Sequence, residues 1–374
     1  MVLSAIGIFM VVDHHTFTAL NLFGDVLPYN SFFMPMFVFI SGYFNKADSS
    51  TKLGTYLWKK VKNLLLPYTI ITLIVFGLQF LMNLYKTGEA TGYPSGYFLY
   101  ILQRVITTGS PFNLVAPMWF VITLFTLLVL YALLKKLLGK IWNSYVMLAI
   151  FVALHLLAVW LAKNVLPGAS EYFLLPVKCL FFLPFLELGI IYRNTLEKKH
   201  TALSGGWKAG LLLTLLLVNA IRTMILPNAY DIAFDSIDAL EGFTSPYIVT
   251  PLISSVVGIL FWLTFVDLVG KPVWESKFIN YLSCNTFWIM GLHITFFNIV
   301  NCVLMGFSGV TDVPYFNVDA FKDSEFYFWE ISSNAKLIYL VVGLIGPLGL
   351  KLIYDIIVSS LGKVIRGKKA EEQK

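Results

Sequence analysis

The feature that most limits the fold is a succession of continuous apolar runs. Several are about 18–22 residues long, the length at which an α-helix crosses the hydrocarbon of a bilayer. Within lipid every backbone N–H and C=O must be paired inside the protein, which leaves helices or a closed barrel. The apolar residues run consecutively rather than in alternation, so helices are expected and a barrel is not. Composition agrees. Of 374 residues, 58% are hydrophobic and only 13% charged, against about 25% charged in an ordinary soluble domain.

The runs predict helices over 2–22, 30–46, 64–84, 117–134, 143–162, 173–192, 208–226, 248–269, 281–304 and 336–360. The expected fold is an all-α, polytopic transmembrane bundle of about ten helices. Charge sets its orientation. With the N-terminus inside, the inner segments hold Lys52, Lys59, Lys60 and Lys62, then Lys135, Lys136 and Lys140, then Arg193, Lys198, Lys199 and Lys208, then Lys271 and Lys277. The outer segments hold Asp231, Asp235, Asp238 and Glu241, and Asp312, Asp319, Asp323, Glu325 and Glu330. This is the positive-inside pattern, and it predicts that both termini are cytoplasmic. The net charge of +6 therefore orients the chain, and no nucleic-acid partner is needed to explain it.

The expected organisation is one membrane domain over 1–362 and a charged cytoplasmic tail over 363–374, with Lys363, Arg366, Lys368 and Lys369. No second soluble domain, low-complexity linker or internal repeat is evident. The stretch 85–116 has no clear span and is placed outside, with Gly88, Gly92, Tyr93, Pro94 and Pro111 in it. Within it, 97–107 reads as a short interfacial or re-entrant helix. Cys179, Cys284 and Cys302 lie in or beside spans, form no disulfide framework, and have no partners at metal-ligand spacing, so no metal is expected. The start does not read as a secretory signal, because no basic region precedes the apolar stretch. Either the first span begins at the membrane surface with Met1, or residues normally upstream are absent.

Ionisable residues inside spans are costly and face a partner or a water-filled cavity. Here they are Asp13, His14, His15, His155, Glu187, Arg222, Asp267 and His293. Asp13, His14 and His15 are the densest cluster, and helix geometry sets Asp13 and His15 about 200° apart, so they cannot share a face. Either one histidine enters a site, or the cluster sits at the outer interface. His155, alone on an apolar helix, reads as structural. Glu187 and Asp267 are expected to pair with basic neighbours. Arg222 either meets a phosphate or carboxylate or snorkels. The aromatic run Phe326-Tyr327-Phe328-Trp329 reads as interfacial belt ahead of a sugar-stacking surface.

Five stretches taken together resemble the acyltransferase 3 family of membrane acyltransferases. They are Ala5-Ile6-Gly7-Ile8-Phe9-Met10-Val11-Val12 leading to His15, Phe32-Phe33-Met34-Pro35-Met36-Phe37-Val38-Phe39-Ile40-Ser41-Gly42-Tyr43-Phe44, Lys59-Lys60-Val61-Lys62-Asn63-Leu64-Leu65-Leu66-Pro67-Tyr68, Pro117-Met118-Trp119-Phe120-Val121, and Ser283 to His293. The second is the most specific. The chain departs from the family where Leu3 and Ser4 stand in place of a basic residue, where Asn63 stands for Arg, and where His14 stands for Gly.

The resemblance implies a membrane O-acyltransferase. It implies transfer of an acyl group, most often acetyl from cytoplasmic acetyl-CoA, to a hydroxyl of an extracytoplasmic or lipid-linked polysaccharide. It also implies a multi-pass protein of the bacterial plasma (inner) membrane. A hydroxyl is too weak an acid to attack a thioester unaided, and a histidine suits the role of general base. His15 is the expected base, with His14 as the alternative one residue away. Lys59, Lys60 and Lys62 are expected to hold the phosphates of the donor. Ser41, Trp119, Arg222 and His293 are the expected substrate-binding residues, with Ser41 and Gly42 also permitting close helix approach. The expected partners are an acyl-CoA donor, a carbohydrate acceptor and membrane lipids. The alternative reading, a transporter or flippase of a lipid-linked saccharide, lacks the paired interrupted helices in matching halves that such folds show.

Overall fold

A computed structural model of the chain describes residues 2–17, 19–20, 22–47, 50–88, 96–166, 169–225, 248–329 and 333–371. Asp231, Asp235, Asp238, Glu241 and Glu330 of the acidic segments lie outside the described residues, as do Gly92, Tyr93 and Pro94. Among the described residues the chain is helical and contains no strand. Among the described residues eight helices are long and apolar enough to cross a membrane, and two shorter apolar helices, Val2–His15 and Phe33–Tyr43, accompany them. The bundle is thus the expected all-α polytopic one.

The elements are α1 (Val2–His15), α2 (Phe33–Tyr43), α3 (Leu53–Thr87), α4 (Tyr97–Thr107), α5 (Trp119–Leu138), α6 (Ser144–Asn164) and α7 (Glu171–Thr201). They continue as α8 (Gly205–Ile225), α9 (Thr250–Val269), α10 (Lys277–Cys284), α11 (Thr286–Ser308), α12 (Val318–Asp323) and α13 (Ser333–Glu371). The most enclosed is α7, with 78% of its apolar window buried. It forms the central post against α2, α5 and α6. Glycines let it approach α2 to backbone contact. A Cβ on Gly42 would lie 2.0 Å from the Leu186 carbonyl oxygen, and one on Gly189 2.1 Å from that of Phe39.

The first helix is shorter than the expected 2–22. It ends at His15, after 14 residues, about 21 Å of helix and too little to cross the hydrocarbon alone. Asp13 ends it. Its carboxylate accepts a hydrogen bond from the Leu20 amide at 3.1 Å, and its carbonyl accepts from the Thr16 hydroxyl at 2.8 Å. Phe17 then turns the chain with φ +56°. The next residues run back as two short 3₁₀ turns, Gly24–Val26 and Tyr29–Ser31, into α2. Leu27, Tyr29, Ser31 and Phe32 are buried. Irregular backbone at membrane depth is tolerated only where protein or a cavity surrounds it.

The basic segment around Lys59 and Lys60, expected as a loop, is helix. Pro67 explains the local irregularity there. It has no N–H to donate, and the helix absorbs the missing bond as a π-turn over Val61–Leu65, in which the Leu66 amide reaches the Val61 carbonyl. The expected short helix over 97–107 is present as α4. After it the chain turns at Gly109 (φ +89°) and runs to Trp119 with all but Asn113 and Ala116 buried. This second irregular segment is held by the Tyr68 hydroxyl on the Gly109 carbonyl (3.0 Å), Lys178 Nζ on the Thr108 carbonyl (3.1 Å), and the Ser110 hydroxyl on the Ala116 carbonyl. At the far end α13 is helical through Glu371. Side chains are described only to Ser360, so Lys363, Arg366, Lys368 and Lys369 have no described side-chain placement.

Candidate active site

Two helices that begin at the same end of the bundle, α1 and α11, bring His15 and His293 together across 278 residues of sequence. Their rings are 4.9 Å apart, and His293 Nε2 lies 3.2 Å from His15 Nδ1. Each Nδ1 also meets the carbonyl one turn back, Val11 at 2.7 Å and Ile289 at 2.9 Å. A carbonyl oxygen only accepts, so both Nδ1 atoms carry the proton. His293 Nε2 is therefore an acceptor for the His15 Nδ1–H, and His15 Nε2 keeps its lone pair. His293 is fully buried. His15 is half-buried, and among the described residues its ring bonds through Nδ1 while Nε2 meets no protein partner.

A cavity of about 190 Å³ lies on the side of this pair nearer the start of α1. It is lined by Ser4 and Ile8 of α1, Phe37 and Ser41 of α2, Leu124 of α5 and Met290 of α11, among others. Ile8 is seven residues before His15, about 10 Å along the helix, and Met290 is about 5 Å before His293. The Ser41 hydroxyl donates to the Phe37 carbonyl at 2.9 Å, so it closes its own helix turn and presents little more than its small volume to the cavity. Two residues past the end of α2, Asn45 opens a second space of about 450 Å³ at the end of the bundle. Its walls include Lys46, Tyr131, Lys135 and Arg193. Arg193 donates to the Tyr43 and Asn45 carbonyls at 2.7 and 2.8 Å. The Tyr56 hydroxyl donates to Asn45 Oδ1 at 3.2 Å, while the buried Asn45 Nδ2 has no partner among the described residues.

The expected residues divide accordingly. His15 and His293 form the pair. His14 packs on His15 and on Phe33, with ring centroids 5.7 and 5.6 Å away. Lys60 lies 5.1 Å from the Tyr56 ring, and so beside the basic pocket. Lys59 is exposed, and so is Lys62, which folds over Trp58 at 5.3 Å. Trp119 turns away from the 190 Å³ cavity, whose wall is built by its neighbours Phe120 and Val121. It stacks on Phe182 and lies 4.2 Å from Lys178 Nζ. Arg222 donates to Asn219 at 2.7 Å, and Asn219 donates to the Val26 carbonyl, so this bond serves the turn between α1 and α2.

Other polar residues are structural. His155 bonds the Phe181 carbonyl at 2.7 Å in a fully buried setting. Asp267 pairs with Lys208 at 2.8 Å, as expected. Among the described residues Glu187 pairs with no cation. It accepts from the Tyr131 hydroxyl at 2.6 Å. Sequence reasoning missed Lys178, a fully buried lysine on α7, and the group of Gln79, Lys86 and Glu325. Lys178 and Gln79 interrupt apolar runs and were legible as such. Lys86 and Glu325 lie in segments that look like ordinary solvated flanks.

A family model described as an acyltransferase domain, that of acyltransferase 3, matches residues 2–350. The chain belongs to this family. It is a membrane acyltransferase whose matched region spans all ten apolar helices except the end of α13. No curated protein and no solved structure matches the chain. Placed in an acyltransferase, the paired histidines have a chemical role open to them: a neutral imidazole with one free nitrogen, held in one tautomer, is a general base.

Proposed function

We propose that this acyltransferase moves an acetyl group from cytoplasmic acetyl-CoA to a hydroxyl of an extracytoplasmic or lipid-linked polysaccharide, with His15 as the general base. The observation that carries the reading is the His15–His293 pair, because its hydrogen bonds fix which nitrogen is free. The acceptor hydroxyl gives its proton to His15 Nε2 as its oxygen bonds to the thioester carbonyl carbon. The C–S bond then breaks, and the leaving thiolate takes the proton from Nε2. The products are the acylated acceptor and the free thiol. In between, His15 is an imidazolium, and its Nδ1–H is held by the Val11 carbonyl and by His293 Nε2. Bonds to a charged donor are stronger than bonds to a neutral one, so both partners favour the transition state over the resting enzyme.

The donor enters from the basic end, which faces the cytoplasm in this reading. Its phosphates occupy the pocket of Lys46, Lys135 and Arg193, with Asn45 Nδ2 as a further donor and Lys60 at the rim. Its flexible arm follows the cavity beside Ser41 and Ile8 to His15. Lys59 and Lys62 act by long-range attraction only, being exposed and screened beyond about 10 Å. The two half-length helices fit this task. Neither is long enough to cross the hydrocarbon alone, and the break between them is where two aqueous phases can approach one histidine.

The test is transfer by purified protein from labelled acetyl-CoA, with a mass scan of cell-surface glycans from cells with and without the gene. Loss of transfer in His15→Ala, with unchanged folding, supports the assignment. Normal acylation by that variant removes it.

A further inference from the structure

We infer that Phe17, Phe328 and Lys336 are positioning residues: a strap late in the chain, Glu325–Trp329, and the start of α13 hold the turn that sets His15, a role that rests on His15 being the base. Phe17 stands two residues past the end of α1. Its φ of +56° lies in the left-handed region, where a Cβ crowds the following carbonyl oxygen, a strain that glycine escapes and phenylalanine does not. Its amide donates to the His14 carbonyl at 3.1 Å, so the strained residue continues the last turn of α1. The Phe17 side chain is 58% exposed, so the strain is not explained by a ring that had to be buried. A residue in such a conformation persists only where its surroundings over-determine it, and such residues cluster at functional sites.

Here those surroundings come from the far end of the sequence. The Phe17 carbonyl accepts from Lys336 Nζ at 3.1 Å. The Phe17 ring meets Phe328 in a T-shaped contact at 5.0 Å. Phe328 is itself fixed, with the Phe297 and Tyr339 rings at 5.7 and 5.3 Å. The backbone around it is fastened to α11 and α13. Asn298 and Asn301, both buried and three residues apart on α11, share a face and donate to the Glu325 and Tyr327 carbonyls at 2.7 and 2.8 Å. The Trp329 amide donates to the Tyr339 hydroxyl at 2.9 Å. Phe297 also meets the His293 ring at 5.6 Å. One strap therefore reaches both histidines, His293 through Phe297 and His15 through Phe17. The His15 Nδ1 to His293 Nε2 contact of 3.2 Å needs both ends held together. Losing the turn at Phe17 frees the end of α1 and with it that contact.

The test uses the full chain in detergent and reads two quantities. One is transfer from labelled acetyl-CoA to a total envelope extract. The other is the rate at which diethylpyrocarbonate modifies His15, assigned by peptide mass spectrometry. If only molecules with the turn formed react, kcat falls with their fraction while the donor KM stays put. Phe17→Ala and Phe328→Ala should each lower kcat about tenfold, with the donor KM within about twofold, and quicken His15 modification about threefold or more. Phe17→Gly also lacks the ring but adopts the turn without strain, so it should recover about fivefold of the Phe17→Ala loss. Adding Phe328→Ala to Phe17→Gly should then cost little more, because a relaxed turn no longer needs the strap. Where Phe328→Ala does not fold, Lys336→Met, which removes the bond to the Phe17 carbonyl, takes its place with the same expected signs. Phe17→Gly as impaired as Phe17→Ala would mean that the ring itself touches the acceptor, and wild-type values of both readouts in Phe328→Ala and Lys336→Met would mean that the strap does not reach His15; either overturns the proposal. His15→Ala reads the base separately. Normal transfer by that variant sinks the base alone, and the modification rates still decide whether the strap positions His15.

Discussion

His293→Phe isolates the part of the site that no single helix could have specified. Phenylalanine keeps the ring in place against Phe297, whose centroid is 5.6 Å away, but it cannot accept the His15 Nδ1–H now 3.2 Å from His293 Nε2. A neutral hydrogen bond contributes about 0.5–1.5 kcal/mol net, and one to a charged group about 1.5–3 kcal/mol. His15 is neutral at rest and charged in the transition state, so the loss falls on the difference, about 1–2 kcal/mol. That corresponds to a fall of roughly 5- to 30-fold in kcat, with the donor KM little changed because ground-state binding does not use the bond. The assay is steady-state transfer from labelled acetyl-CoA in detergent or vesicles, with helicity and thermal unfolding measured on the same sample. A variant within twofold of wild type would show that His293 does not assist His15. A variant as dead as His15→Ala, yet normally folded, would show that His293 itself takes part in proton transfer, and the tautomer argument would fail.

Other consequences follow from separate parts of the fold. Lys135→Gln should raise the acetyl-CoA KM about tenfold with little effect on kcat, and the effect should shrink at high salt; an unchanged KM would remove the phosphate role of that pocket. Gly42→Leu should prevent stable insertion, because its Cβ would meet the Leu186 carbonyl oxygen at 2.0 Å; a folded, active variant would contradict the close α2–α7 approach. Glu325 lies in the loop between α12 and α13, and burial pushes its carboxyl up from its ordinary value, against the opposing effects of Gln79 and Lys86. A raised acid favours the docked loop in its protonated form, so docking is strongest below the unfolded value and weakens as pH rises through the folded one. Amide exchange at Phe326–Trp329, corrected for intrinsic rate, should therefore speed up across that window in wild type and stay flat in Glu325→Gln; identical profiles would refute it.

The number and type of helices were legible because each depends on local composition, and ten apolar runs can do little else in lipid. The ends of the helices were less so. The helix 2–22 was expected from continuous apolarity, yet α1 stops at His15 because Asp13 caps the returning chain through Leu20, a contact with a partner seven residues on. The lysines at 59–62 read as a loop because charge marks a membrane boundary, and charge does not forbid a helix from continuing past it. Within the site, His15 was legible from the family-like first and second helices. Its pairing with His293 was not, since nothing local links two residues so far apart in sequence. Glu187 illustrates the opposite error. A carboxylate in a span was assigned a basic partner, and the bundle supplies the Tyr131 hydroxyl instead.

In the proposed mechanism one histidine serves reactants from both sides of the membrane. The most direct measurement is vectorial transfer in sealed vesicles, with labelled acetyl-CoA added only at the basic end of the bundle and the envelope-glycan acceptor only at the other. Label should reach the acceptor with the wild-type protein and not with His15→Ala, although both fold alike. Equal transfer by the two proteins, or transfer only when donor and acceptor share one side, would contradict it.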